Sequence, residues 1–469
     1  NIYVTSSDWM MDAKKYVGIA AQKYCNVTIN DPGIINIKFE ESGGEKTGIL
    51  AAAGGSINIK NGGENLENKI LSIQAPTDDA ITGIYVETKR SYSGNASSVI
   101  IDGLVNINTP DKIVNEADGT SYTVNAYAIN VESGLVDIGG GKIIGRLRSD
   151  NWRNKIDIAR ININTQKDSN GNLIGAGDNI VQIDGELTAD NGSGNANQIN
   201  VGLNGENSYI KGNAIGSAIE HSTKDNETSY DSTTKYGVNI YMDNAADWSG
   251  DAKGALTLRM HNGATWHGGS NAENDSYAIN HMSMTLDTGA VWYNQGDTDI
   301  AVDYFTGGKD EASRGTIVMD VDKNVTLSNY TGNTLVSFKH NIDDDNEVLG
   351  GNITIGSAAE GSVITLSTDN DGLDTSNAEE VTKVLNKLAD KLTYTGAVDG
   401  AENNLDGYVQ IAEGLTASSA ALKLGDISFS AEDGKGSLKE GSIITPENKK
   451  NPEVIYGDKE TAMMKGAKT

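Results

Sequence analysis

Short runs of alternating apolar and polar residues recur along this chain. NVTIN at Asn26, INIKFE at Ile35, SINIK at Ser56, ILSIQ at Ile70, VIIDG at Val99 and LVNIN at Leu104 all follow the pattern. Period-two alternation puts one face of a strand inward and the other outward. Gly, Asn and Asp separate the runs, so each is a short strand bounded by turns. Between them a second pattern repeats. A polar or aromatic residue is followed by a small residue, Ile or Val, any residue, and usually another apolar one. It appears as VGIAA at Val17, TGILA at Thr47, TGIYV at Thr82, YAINV at Tyr127, YGVNI at Tyr236 and YAINH at Tyr277, with a weaker copy, SAIEH, at Ser217. Positions 17, 47, 82 and 127 are 30, 35 and 45 residues apart.

Each early unit therefore holds three strand signals, as a triangular β-solenoid coil requires. The units exceed a minimal coil, so some turns carry loops, such as KRSYSGNASS after Thr88 and KDNETSYDSTTK after Thr223. A β-sandwich also has short strands, but gives no reason for the recurring frame. The expected fold is all-β, a right-handed parallel β-helix. The first unit has a competing reading. Trp9, Ala13, Val17, Ala20 and Tyr24 fall at helical spacing after Ser7 and Asp8, although the in-frame VGIAA favours a strand.

Two stretches repeat each other closely. LTLRMHNGATWHGG from Leu256 and MTLDTGAVWYNQG from Met284 place Trp266 and Trp292, two of only five Trp, in matching frames. Successive coils near the end of a solenoid would stack these two side chains in the core. One helix also stands out. Ser376 with Glu379 three residues on forms a capping box, and Val381, Val384, Leu385, Leu388 and Leu392 share one face, predicting an amphipathic helix near 376–392.

Composition fits an ordered β protein with little aromatic core. There are 55 Gly, 5 Pro and 4 Phe, the hydrophobic fraction is 37%, and no Pro lies between Pro110 and Pro446 to interrupt strands. A net charge of −28 argues against nucleic acid and against anionic lipid. Cys25 is the single cysteine, so no intrachain disulfide forms. No run reaches the roughly 18 apolar residues of a membrane helix.

The Trp stretches resemble the C-terminal passenger region of autotransporters, the self-exporting outer-membrane proteins. In that family a secreted β-helix ends in coils of the form L-x-L-x-x-G-A-x-W, and an autochaperone segment follows. GGNITIGSAAEGSVITLSTDNDGLDTSNAEEVTKVLNKLADKL from Gly350 and GYVQIAEGLTASSAALKLGDISFS from Gly407 are similar to that segment. VIYGDKETAMMKGAKT, with Met463 and Met464 among small residues, resembles the start of the linker helix that threads the translocator barrel. The resemblance is specific from about Asp243 to Thr469 and architectural before that.

It implies a β-helix over 1–300, a cap or autochaperone-like region over 301–445, and over 446–469 a linker to a barrel absent from this sequence. The chain opens on NIYVTSSDW without a signal peptide, so the resemblance makes it the mature passenger portion. The implied location is the cell surface, anchored to the bacterial outer membrane through the barrel. The implied function is adhesion, to host glycans or matrix proteins or between copies in autoaggregation and biofilm. The alternative is a polysaccharide hydrolase or lyase on the same scaffold.

Catalytic chemistry has little to stand on. The GDSGS nucleophile motif of serine-protease passengers is absent. His221, His261, His267, His281 and His340 are candidate bases without a nucleophile frame. His261, His267 and His281 sit in the Trp coils, but their spacing is not a known ligand pattern. GGGKIIG at Gly139 is a Gly cluster at a turn, not a phosphate loop. GAGDNIV at Gly175 is a lone echo of tandem calcium repeats. DDDNE at Asp343 reads as a solvated loop. No catalytic residue, metal or cofactor is expected.

Overall fold

The computed structural model describes residues 2–3, 15–30, 32–39, 44–60, 70–74, 81–88, 96–115, 120–151, 159–170, 173–190, 197–216, 220–222, 228–230, 237–270, 281–341, 346–369, 372–374, 377–398, 404–411 and 425–439. The architecture is a parallel β-helix with a single α-helix among the described residues. Its residues divide into two compact units, Asn1–Arg259 with Ala272–Met282, and Met260–Asn271 with Ser283–Thr469.

Among the described residues of unit 1 the parallel strands form three stacks. The first stack runs through Lys15–Gln22, Glu45–Ala52, Thr82–Glu87, Tyr127–Val131, Arg146–Asp150, Leu187–Asp190 and Ala214–Gly216. The second runs from Asn26–Asn30 and Ser56–Lys60 to Asn197–Asn204 and Gly237–Asp243. The third runs from Ile35–Lys38 and Ile70–Gln74 to Tyr209–Lys211 and Asp247–Ser249. Two long strands, Ser98–Asn108 and Gly134–Ile144, serve the second and third stacks in turn. Gly139–Gly141 lies at that corner, inside a strand rather than in a free loop. A Cβ on Gly141 would meet the Val105 carbonyl oxygen at 2.1 Å, so the coils close there only on glycine.

The repeated frames of the first four coils are ladder partners. Val17 pairs with Thr47, Thr47 with Thr82, and Thr82 with Tyr127. Lys15–Gln22 is a strand, which overturns the helical reading where the residues are described; Trp9 and Ala13 lie outside them. Inside the stack, Ile19, Ile49, Ile84 and Ile129 are buried rungs. Each full burial of such a side chain stabilises by about 1.5–3 kcal/mol. The small residue before Ile has a steric cause. A Cβ on Gly48 would fall 2.6 Å from the Gly83 carbonyl oxygen and 2.7 Å from Ile73 Cγ2, and Gly18 meets the equivalent atoms of Gly48 and Ile37.

The later frames behave differently. From Tyr127 the first stack returns at Arg146, because Gly134–Ile144 crosses two stacks without a loop. YGVNI does not rejoin that stack. Its Val238 pairs with Ile199 in the second. Residues 217–219 and 271–280, and with them most of SAIEH and YAINH, lie outside the described residues. Longer coils extrude antiparallel hairpins at Lys112–Asn115 with Ser121–Val124, Thr165–Lys167 with Leu173–Ala176, and Glu220–Ser222 with Thr228–Tyr230.

Among the described residues of unit 2 the parallel strands form two stacks. One joins Thr265–Gly268, Val291–Asn294, Gly315–Met319, Asn333–Asn341, Ser362–Thr368 and Leu405–Ile411. The other joins residues 283–286 to Ile300–Thr306, Val325–Thr331, Ile353–Ala358 and Leu392–Tyr394. Trp266 and Trp292 are register partners, fully buried, with ring centroids 5.0 Å apart and planes 13° from parallel. The Trp coils are not the last, since parallel pairing continues to Ile411.

The helix, α1, spans Ala378–Ala389 and buries Val381, Val384, Leu385, Leu388 and Ala389. Its cap is Asn377, whose side chain accepts from the backbone N–H groups of Glu379 and Glu380; Ser376 lies outside the described residues. Leu392 is not on the helix but begins the strand Leu392–Tyr394. The helix packs against Glu347–Leu349, Ser362–Thr368, Leu405–Ile411 and Gly436–Leu438. Parallel pairing then gives way to antiparallel strands, Gly425–Phe429 on Leu405–Ile411 and Gly436–Leu438 on Gly425–Phe429. No described helix is long and apolar enough to cross a membrane.

Candidate functional site

A β-helix uses its inward positions for the core, which leaves chemistry to the outward ones. In the first stack of unit 1 these form two rows. One row is Thr47, Thr82, Tyr127 and Arg146, and the other is Leu50, Tyr85, Asn130 and Arg148. Between them lies an open groove of about 340 Å³. Glu45, Lys46 and Thr47 line it from one coil, Ile81, Thr82 and Tyr85 from the next, and Asn125, Asn130 and Glu132 from the third.

The groove mixes charge, amide and aromatic groups. Lys46 is 3% exposed and sits over the Tyr16 ring, 5.5 Å from its centroid. Glu45 is exposed and Glu132 half-buried. Tyr85 and Asn130 are both half-buried, and the Asn130 Oδ1 is buried without a hydrogen-bond donor. On the next coil Arg148 lies 5.8 Å from the centroid of Tyr127 and is paired with Asp150. Arg146 donates to Asp111, at 2.9 Å from Nη2 and 3.0 Å from Nε, and the other oxygen of Asp111 accepts from the Ala126 N–H. Both guanidinium groups are thus matched by carboxylates.

Of the five histidines, the side chains of His261, His267 and His340 are described, and each has its own surroundings. His261 Nδ1 lies 2.6 Å from Asp287 Oδ1, which also accepts from the Thr288 hydroxyl at 2.7 Å. His267 stacks on Tyr293 at 4.5 Å with planes 4° apart. The His340 side chain is wholly buried, its Nδ1 2.8 Å from Asp369 Oδ1 and its Nε2 without a partner. The side chains of His221 and His281 lie outside the described residues, as does Asp343. Among the described residues no group of three or more His, Cys, Asp or Glu is placed to hold a metal ion. In GAGDNIV, Asn179 is a structural residue, bonded through Nδ2 to the Gly139 carbonyl at 2.7 Å.

Comparison with protein-family models, with curated proteins and with solved structures finds no match in any of the three.

Sequence reasoning passed over the groove. Its one signal was the variable position of the frame, Tyr85 in TGIYV and Asn130 in YAINV, which the ladder turns outward beside each other. Unit 2 also carries an outward polar row. Gln295 donates to Asp320 at 2.9 Å, and Lys339 pairs with the other oxygen of Asp320 at 3.1 Å. A second ladder runs from Asp299 through Asn324, by Nδ2 to Oδ2 at 3.0 Å, to the backbone N–H of Asn352.

Proposed function

We propose that this chain is the passenger of an autotransporter, displayed on the cell surface, and that it acts as an adhesin. The observation that supports the reading is the pair of outward rows on the first stack of unit 1, which offers polar and aromatic groups over several successive coils. The resemblance of the Trp coils and of the segment around α1 to autotransporter passengers supports it. Adhesion at such a surface adds many weak contacts, to host glycans, to matrix proteins or to a second copy, and needs no cofactor.

Two measurements test this. In its native diderm host the protein on intact cells should be cleaved by added protease and stained by antibody without permeabilisation. Beads coated with the purified chain should attach to epithelial cells or matrix, or clump with one another. A protein protected from protease inside intact cells, together with inert beads, would overturn the proposal. Incubating the chain with polysaccharides and weighing the products by mass spectrometry separates the enzyme reading, since an adhesin leaves the polymer uncut.

A further inference from the structure

We infer that the groove on the first stack of unit 1 is a subsite for a short, uncharged, hydroxyl-rich saccharide. The inference rests on the adhesive reading above and gives it a place and a ligand class. Its form fits. At about 340 Å³ the groove lies at the lower end of the ~300–1,000 Å³ range of small-ligand sites. Three coils line it, and at roughly 4.8 Å per strand spacing they extend about 10 Å along the axis, the scale of a disaccharide.

Its chemistry fits as well. Sugar hydroxyls both donate and accept, so a complementary wall must do the same. The hydroxyls of Thr47 and Thr82 do either, and the amide of Asn130 supplies one of each. The Asn130 carbonyl oxygen is buried with no donor in the chain, and a small rotation of the amide hands it to a ligand hydroxyl. Tyr85 adds an apolar ring with a polar tip, suited to a sugar whose one face is CH and whose rim is OH. Charge selects against polyanions. On a chain of net charge −28, sulfated and sialylated glycans and nucleic acid are repelled.

An array of neutral, sialylated and sulfated glycans, probed with the purified full chain, tests the inference. The parent should be retained by neutral glycans, with retention little changed by salt. Tyr85→Ala combined with Asn130→Ala should weaken it by about tenfold or more, a change of about 1.4 kcal/mol. Both residues face outward, so the far-UV circular dichroism spectrum should stay that of the parent. Should the double variant fail to fold, Thr82→Arg, which fills the groove from another outward position, carries the same expectation. Retention by anionic glycans only, by none, or undiminished in the folded variants overturns the subsite. Bead attachment that persists in the variants, with glycan retention unchanged, sinks the groove and leaves the adhesin. Inert parent beads sink the adhesin reading even where the groove holds sugar.

Discussion

Replacing Trp266, Trp292 or both by Ala tests the stacked core most directly. Each ring is fully buried, and large-to-small changes of this kind cost about 3–5 kcal/mol through lost transfer energy and the cavity left behind. Trp292→Ala also removes the Nε1–H bond to the Gly268 carbonyl at 3.0 Å, although that oxygen keeps the backbone N–H of Gln295 at 3.1 Å. The two rings also touch each other, centroids 5.0 Å apart in an offset stack. Such pairs contribute about 0.5–1.5 kcal/mol beyond area. Both single variants lose that term, so the double variant should cost less than their sum by about that amount. Urea unfolding followed by far-UV circular dichroism reads all four proteins without relying on the fluorescence of the residues removed. Single variants within about 1 kcal/mol of the parent would refute the buried placement. Large but strictly additive losses would refute the stack.

Three further perturbations address other features. Gly48→Val should destabilise by about 1–3 kcal/mol or more, since the added atoms meet a carbonyl oxygen and Ile73 at under van der Waals distance; an unchanged thermal midpoint would show that the coils are not packed as described. Burial pushes the Tyr330 phenol well above its ordinary pKa of 10.0 while its O–H donates to the Val363 carbonyl at 2.6 Å. The folded chain then holds that proton more tightly than the unfolded chain, so the stability it contributes is full below pH 10 and declines as pH rises beyond it. Tyr330→Phe should flatten that alkaline decline in urea titrations, and parallel pH profiles of parent and variant would count against it. Asn377→Ala removes the α1 cap and should cost about 0.5–2 kcal/mol in urea unfolding, whereas Asn377→Asp should retain most of it.

The inward half of this fold was legible in sequence, and the reason is steric. A position flanked by the next coil's carbonyl and the third stack's Ile admits Gly or Ala only, so Gly18, Gly48, Gly83 and Ala128 repeat and carry their Ile partners with them. The Trp pair was legible for the same reason, as two consecutive coils filling one cross-section. Loop length hid the rest. Once Gly134–Ile144 closed a coil without a loop, the spacing changed, and a matching frame at Tyr236 belonged to a different stack. At α1 the apolar spacing ran on past the helix, because Leu392 continues the buried series as the first residue of a strand. The groove was harder to see, because only Thr47, Thr82, Tyr85 and Asn130 belong to the repeated frame, while Glu45, Lys46, Ile81, Asn125 and Glu132 lie outside it. They meet only through register.

Outward positions are not equally open, and the difference bears on where ligands bind. In the second stack of unit 1, Asn162, Asn200 and Asn239 alternate with core Ile and Val and so point away from the core, yet all three are buried. Their amides form a chain of one polarity. Asn239 donates to Asn200 at 2.7 Å, Asn200 to Asn162 at 2.8 Å, and Asn162 to Asp137 at 3.3 Å. The hairpin Thr165–Lys167 with Leu173–Ala176 packs on the same strands, close enough that a Cβ on Gly202 would fall 2.6 Å from the Ala176 Cα. Lys167 straps it down, its ammonium 2.7 Å from the same Asp137. The acceptor end of this chain, Asn239 Oδ1, is buried without a partner, and the hairpin covering the row keeps these groups from a ligand. The first stack has the opposite disposition, with half-buried Tyr85 and Asn130 beside an open groove and exposed Glu45 at its rim. Within unit 1, polarity alone does not mark a binding face. On the adhesive reading proposed above, a polar row is available to a ligand only where it is uncovered, as the first stack is at its groove.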